Sequence, residues 1–172
     1  MRLLCALTLC LITSYSNADI KSGVYINVDS GWSHYSAAKE TNDVNDISFA
    51  TRIGYQFNRN FAIEGQLVGL GFSRNLMRFT TDQEFTPSYN YGVNAVGILP
   101  INERFDLLGK LGIGRTRMES SLRAQSDYDE TDANLGLALR LALGTSWGIK
   151  LESNYFNKAK VTIAMLGFDY HF

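Results

Sequence analysis

Between residues 133 and 143 the side chains change character at every step, a period that no helix can use. Ala133, Leu135, Leu137, Leu139, Leu141 and Leu143 fall on one side; Asn134, Gly136, Ala138, Arg140 and Ala142 fall on the other. Residues 47–57 repeat the pattern, with Ile47, Phe49, Thr51, Ile53, Tyr55 and Phe57 opposite Ser48, Ala50, Arg52, Gly54 and Gln56. So do residues 105–114, where Phe105, Leu107, Gly109, Leu111 and Ile113 oppose Asp106, Leu108, Lys110, Gly112 and Gly114. Successive strand side chains point to opposite faces, so each stretch reads as a strand with one apolar wall and one small or polar wall.

Five noisier segments share the alternation. Val24, Ile26, Val28 and Trp32 line one side of the first. Phe61, Ile63 and Leu67 begin the third, whose alternation slips near Gly69-Leu70-Gly71 as at a bulge. Tyr89, Tyr91, Val93, Ala95 and Leu99 mark the fourth, and Trp147, Ile149, Leu151 and Tyr155 the seventh. Thr162, Ala164, Leu166, Phe168, Tyr170 and Phe172 mark the last. The total is eight strands, each near the ~9–11 residues that a tilted strand needs to cross a bilayer. The connections alternate as well: short turns at 58–60, 100–104 and 144–146, longer polar loops at 36–46, 74–88 and 119–132, and a brief one at 157–160. Short turns at one end and long loops at the other are the habit of outer-membrane barrels, and an even strand count puts both mature termini on the short-turn, periplasmic side.

The first 18 residues read separately. Arg2 precedes an apolar run from Leu3 to Ile12, and Ser16-Asn17-Ala18 places small residues where an export signal is cut. The run is far short of the ~20 residues of a spanning helix. The domain reading is therefore a cleaved signal over 1–18 and a barrel over 19–172. Both cysteines, Cys5 and Cys10, lie in the leader, which leaves the mature chain without thiols for disulfides, metal ligation or nucleophilic catalysis. A lipidated Cys10 is disfavoured by the bulky Leu9 before it and the short apolar core. The whole chain has 16 basic and 17 acidic residues, a balance that points away from nucleic acid. Beyond Ala18 the most helix-like apolar stretch, Leu135 to Gly144, is short and interrupted by Arg140. If the chain enters lipid it does so as a closed barrel, because only helices and closed barrels satisfy their own backbone there.

A soluble lipocalin-like barrel shows the same alternation with its faces exchanged. Three features favour the membrane form. The polar wall is mostly Gly, Ala, Ser, Asn and Gln, which suits a narrow, side-chain-filled lumen better than a solvated exterior. Aromatics gather at strand ends, as interface girdles do: Phe57, Phe61, Phe105, Trp147 and Phe172 on one side, Trp32, Tyr89, Tyr91 and Tyr155 on the other. The sequence also stops on Phe172.

Ile53-Gly54-Tyr55-Gln56-Phe57-Asn58 followed by Phe61-Ala62-Ile63-Glu64 resembles the second strand, turn and third strand of the OmpA-type transmembrane barrel superfamily, which includes OmpX-like surface proteins. Gly92 to Gly112, with Leu99-Pro100-Ile101 before its turn, and the ending Leu166 to Phe172 resemble that family too. The resemblance implies an eight-stranded antiparallel up-and-down transmembrane β-barrel. It also implies that Phe168, Tyr170 and Phe172 form the C-terminal signal read by the outer-membrane insertion machinery. Lumen ion pairs close such barrels. Glu64 and Lys150 match one pair by position, whereas the places of a second fall on Val96 and Arg140, and no peptidoglycan-binding domain follows.

Six charged residues share the inward parity at similar distances from the short turns: Arg52, Glu64, Lys110, Arg140, Lys150 and Glu152. Charges with little water must pair, so they read as one lumen layer, either a plug or, in the alternative, the gate of a small pore. His34-Tyr35-Ser36 has the His-x-Ser spacing of barrel lipid A deacylases, but Ala37 stands where those enzymes carry Asn, and their motif lies late in the chain. A lipid-modifying enzyme is thus a distant alternative, and the sequence points to no catalytic residue, metal or cofactor. Arg115 and Arg117 are outward by parity at the loop end of the fifth strand, with Arg123 above them. They read either as snorkelling rim residues or as contacts for lipopolysaccharide phosphates. Asp127 to Asp132 is acidic, lacks EF-hand spacing and reads as a solvated tip. The functional expectation is a structural or surface-interaction barrel contacting outer-membrane lipids, with any extracellular ligand held by loops. N-terminal sequencing of protein from outer-membrane fractions should begin Asp19-Ile20-Lys21; a retained leader would contradict the signal assignment.

Overall fold

The alternation is realised in the computed structural model, which describes residues 22–35, 44–70, 85–120 and 128–172. Eight strands follow in chain order: β1 Gly23–Tyr35, β2 Val44–Asn58, β3 Phe61–Gly69, β4 Phe85–Pro100, β5 Phe105–Ser120, β6 Tyr128–Ala142, β7 Trp147–Phe156 and β8 Val161–His171. Each pairs antiparallel with its sequence neighbours, and β8 returns to β1 to close the barrel. At the seam the Phe172 amide donates to the Val24 carbonyl at 3.0 Å, and on the β7 side of β8 the His171 amide donates to the Ser146 carbonyl at 2.8 Å. Closure removes the unpaired edges that lipid could not satisfy.

Burial alternates with the same period, and it fixes which wall faces where. Leu111, Ile53, Leu137, Val28, Leu151 and Leu166 are more than half exposed on the outside, while Arg52, Lys110, Glu64 and Glu152 are at most 2 % exposed inside. This is a soluble barrel turned inside out, and it is the arrangement lipid demands. Aromatic rings knit the periplasmic rim, with Phe57 over Phe61 at 5.8 Å and Trp147 edge-on to Tyr170 at 4.8 Å. On the opposite rim Trp32, Phe49, Tyr91 and Tyr155 point outward.

The short turns carry their own chemistry. The Asn102 side-chain oxygen accepts the Arg104 and Phe105 amides at 2.9 Å each. Gly144, at φ 142°, sits where an L side chain would be strained. At the far end, Lys160 adopts φ 51° in the β7–β8 turn. That turn is pinned from below, because the Asp132 carboxylate accepts the Lys158 amide at 2.7 Å and the Ala159 amide at 3.0 Å.

Two local expectations are corrected here. Residues 128–132 are not a solvated tip: they open β6 and pair with β5, Met118 opposite Tyr128 and Gly114 opposite Asp132, and Asp132 is 1 % exposed. Polar side chains that fill the upper lumen look like loop in sequence, and β2 and β4 begin inside the stretches read as loops for the same reason. Nor does the third strand slip near Leu70. The β3–β4 register runs unbroken from Phe61 to Gly69, and Leu70 continues the inward parity at 0 % exposure. The register shifts fall instead at Gln56/Asn58 and Pro87/Tyr89. The leader, Ser36 and Arg123 lie outside the described residues.

Candidate functional site

The midpoint of the lumen is an ion cluster built from five strands. β1 supplies Asp29, β2 Arg52, β3 Glu64, β5 Lys110, and β7 both Lys150 and Glu152. Lys110 Nζ lies 2.7 Å from both Glu64 Oε1 and Glu152 Oε2. Lys150 Nζ lies 2.7 Å from Glu152 Oε2 and 3.8 Å from Asp29 Oδ1. Arg52 contacts Asp29 and stands 2.8 Å from Glu152 and 3.5 Å from Glu64; the Glu152 contact is an ion pair rather than an aligned hydrogen bond. The cluster holds three cations and three anions and is formally neutral.

Neutral side chains complete the cluster. Tyr25 donates its hydroxyl to Glu64 Oε2 at 3.0 Å, and Asn94 donates to Glu64 Oε1 at 3.1 Å. Asn154 donates to Glu152 at 2.6 Å, and Asn27 accepts from both Lys150 (2.7 Å) and Arg52 (3.1 Å). From Asn94 a ladder of amides and a hydroxyl climbs through Gln66, Asn90 and Thr116 to Asp132 under the β7–β8 turn. Burying a charge is tolerable only when it is paired, and this network pairs every one, although Asp29 Oδ1 and the Arg52 Nε and Nη2 groups have ion-pair partners without an aligned hydrogen bond.

Room for these side chains comes from glycines in register. Tyr25 lies over Gly54 and Asp29 over Gly167; Asn94 and Asn134 lie over Gly112, and Asn154 lies over Gly136. In each case the glycine is the direct cross-strand partner of the residue that covers it. A Cβ at any of them would occupy the space of a network side chain.

Apolar side chains flank the cluster along the lumen. Toward the extracellular end Ala50, Val68, Leu70, Phe156, Val161, Ile163 and Met165 pack together, with Ala159 of the turn against them. Toward the periplasm Tyr25, Ala62, Val96, Ile98, Leu108 and Ala138 form a second layer. Below it opens a vestibule of about 380 Å³, lined among others by Arg59, Glu103, Asp106, Arg140, Asp169 and His171. Between vestibule and cluster the space shrinks to about 10 Å³, at the lower limit for a single water.

The structure brings together Arg52, Glu64, Lys110, Lys150 and Glu152, but two expectations about the layer do not hold. Arg140 is not in it. Arg140 stands in direct register between Asp106 and Lys150, so it turns from the like charge to the opposite one. Its Nε and Nη2 lie 3.0 and 2.8 Å from Asp106 Oδ2 in the vestibule wall. Glu64 and Lys150 do not pair with each other either. Lys110 and Arg52 reach Glu64, and Glu152, two residues along β7, takes Lys150. Sequence reasoning missed Asp29, Asn27 and Tyr25, although their inward parity follows from Val24, Ile26 and Val28 facing out. Of the rim arginines, Arg115 is exposed between Tyr91 and Thr131, and Arg117 stands 3.7 Å from Asp129. Phe168 and Phe172 face outward at 55 % and 74 % exposure, and Tyr170 packs edge-on to Phe172.

An apolar outer wall, aromatic rims and a side-chain-filled lumen define a transmembrane β-barrel of the small, closed type. The family model for the outer membrane protein beta-barrel domain matches residues 3–172, and the chain belongs to that family, as an integral protein of the bacterial outer membrane. No curated protein matches the sequence. Among solved structures it is similar to Ail, the attachment invasion locus protein of Yersinia pestis, solved with the heparin analogue sucrose octasulfate: 19% identity, 88% of this chain and 99% of that one, TM-score 0.57. Neisserial surface protein A is similar at 16% identity, over 88% of this chain and 98% of its own, with TM-score 0.61. The N-terminal barrel of Pseudomonas aeruginosa OprF is similar at 14% identity, over 88% and 99%, with TM-score 0.59. At these identities the likeness is one of fold.

Glu64→Ala should destabilise the barrel by roughly 3–5 kcal/mol, because it leaves three buried cations to share two carboxylates. A double-mutant cycle on reversible unfolding should give strong coupling between Glu64 and Lys110 and weaker coupling between Glu64 and Lys150. Equal couplings would contradict the pairing seen here.

Proposed function

We propose that this protein is a closed, non-catalytic outer-membrane barrel whose role is structural or surface-interacting, exercised through its extracellular end and its lipid-facing wall. The observation that carries the reading is the lumen: among the described residues a neutral, buried ion cluster lies between two apolar layers, and the space beneath it narrows to about 10 Å³. Function therefore falls to the rims. Membership of the outer-membrane barrel family and the likeness to surface proteins of other bacteria support the same direction.

Two partners follow from the rims. Arg115 and Arg117 stand on the wall beside Tyr89 and Tyr91, where guanidinium groups are placed for the phosphates of outer-leaflet lipopolysaccharide. At the extracellular tip Lys158 and Lys160 are exposed, Lys158 with its ammonium 3.3 Å from Glu130, a turn whose lysines an anionic ligand such as the heparin analogue solved with Ail would engage. At the other rim, Phe168, Tyr170 and Phe172 are the segment we assign to the insertion machinery, and the mature chain is assigned to 19–172.

Barrels reconstituted with lipopolysaccharide and with phospholipid alone test the reading. The wild type should melt higher with lipopolysaccharide, should be retained on immobilised heparin, and should show no turnover of the lipid. Arg115→Ala with Arg117→Ala should lose most of the thermal gain, and Lys158→Ala with Lys160→Ala should lose the retention. Unchanged melting and retention in both double variants, or lipid turnover by the wild type, would contradict it.

A further inference from the structure

His171 sits at the neck between the vestibule and the ion cluster, and a single ring nitrogen faces two incompatible neighbours. Arg140 Nη1 lies 3.0 Å from His171 Nε2, and Asp169 Oδ2 lies 3.1 Å from the same atom. A guanidinium only donates, so it needs the imidazole lone pair; a carboxylate only accepts, so it needs an N–H there. One nitrogen cannot serve both at once. Asp169 is 4 % exposed, and its other oxygen, packed against Gly148, has no hydrogen-bond partner. The imidazole ring stacks on Tyr25 at 5.1 Å, and Tyr25 in turn donates to Glu64 of the cluster. Tyr25, Glu64, Arg140, Lys150, Asp169 and His171 all line the space of about 10 Å³ at the neck.

We infer that His171 is a proton-operated latch on the periplasmic neck of the lumen, holding Arg140 when neutral and Asp169 when charged. The inference rests on the closed-lumen reading above. With the proton on Nδ1, Nε2 accepts from Arg140, which Asp106 anchors from the other side at 2.8 Å. Protonation of Nε2 sets two cations 3.0 Å apart and supplies the donor that Asp169 lacks. Arg140 then withdraws toward Asp106 and the vestibule, and His171 turns to Asp169. The neck that both side chains line opens to water, which reaches Glu64 and Lys150. The charged and titratable groups around His171 are Tyr25 from β1, Glu64 from β3, Asp106 from β5, Arg140 from β6, Lys150 from β7 and Asp169 from its own strand, with Arg59 and Glu103 farther out on the vestibule wall. Imidazole is the side chain among them whose charge ordinarily changes between about pH 5 and 8.

The experiment follows the lysine ammonium groups of the full mature barrel by nitrogen-detected NMR at about pH 8 and about pH 5, the window over which imidazole titrates. In the wild type the Lys150 ammonium protons should exchange with water slowly at the higher pH and faster at the lower, the reverse of the ordinary base-catalysed trend. His171→Gln, with folding confirmed by heat-modifiable mobility, should lose that acceleration. Nitrogen NMR of wild-type imidazole needs no variant: Nε2 should be unprotonated at the higher pH and protonated at the lower. An acceleration that survives in His171→Gln, its absence from the wild type, or a protonated Nε2 at the higher pH would overturn the latch. Fast exchange at Lys150 at both values would overturn the closed lumen itself.

Discussion

Three cations and three anions share the middle of this barrel with almost no water, and the rest of the interior is arranged so that they can. An eight-stranded barrel is just wide enough for its side chains to fill, so inward charges meet one another rather than solvent. Removing any one charge leaves its partners uncompensated, which makes the cluster a specification of register as well as a plug. Lys110 illustrates this. Its ammonium joins Glu64 on β3 to Glu152 on β7, tying together two strands that share no ladder.

The glycines and the apolar layers serve that cluster. Inward glycines opposite Tyr25, Asp29, Asn94 and Asn154 let long polar side chains lie flat along the neighbouring strand, instead of colliding at the barrel axis. Phe156, Leu70 and Ile163 above, with Ile98, Leu108 and Val96 below, keep water from competing for the ion pairs. The extracellular turn joins the same system through Asp132, which holds the amides of residues 158 and 159 and closes the hydrogen-bonded ladder that begins at Glu64. The outer wall and the lumen are thus two halves of one constraint: everything apolar that lipid does not contact seals the polar interior.

The strand pattern was legible because burial in a membrane barrel has period two and so does the strand. The order of the strands and the closure needed only short connections and an even count. Heights were less legible. Parity assigns a residue to a face, but tilt and stagger set its level, which is why Arg140 was grouped with Lys150 although the register places the two like charges side by side and drives them apart. Pairing by resemblance failed for a related reason: Glu64 and Lys150 project from opposite sides of the barrel, and nearer counter-charges, Lys110 and Glu152, intervene. Asp29 was readable from parity alone. Residues 128–132 were misread because a polar lumen and a polar loop have the same composition, and only the β5–β6 ladder distinguishes them.

The central claim is that the lumen charges are dry and locked, and proton exchange at the lysine ammonium groups tests it most directly. Nitrogen-detected NMR of lysine-labelled barrel near neutral pH should show slowly exchanging, hydrogen-bonded ammonium protons at Lys110 and Lys150. Lys158 and Lys160, exposed on the β7–β8 turn, should be averaged with water in the same spectrum and so serve as the internal reference. Exchange at Lys110 as fast as at Lys158 would mean that water enters the cluster freely, and the account of a sealed lumen would be wrong.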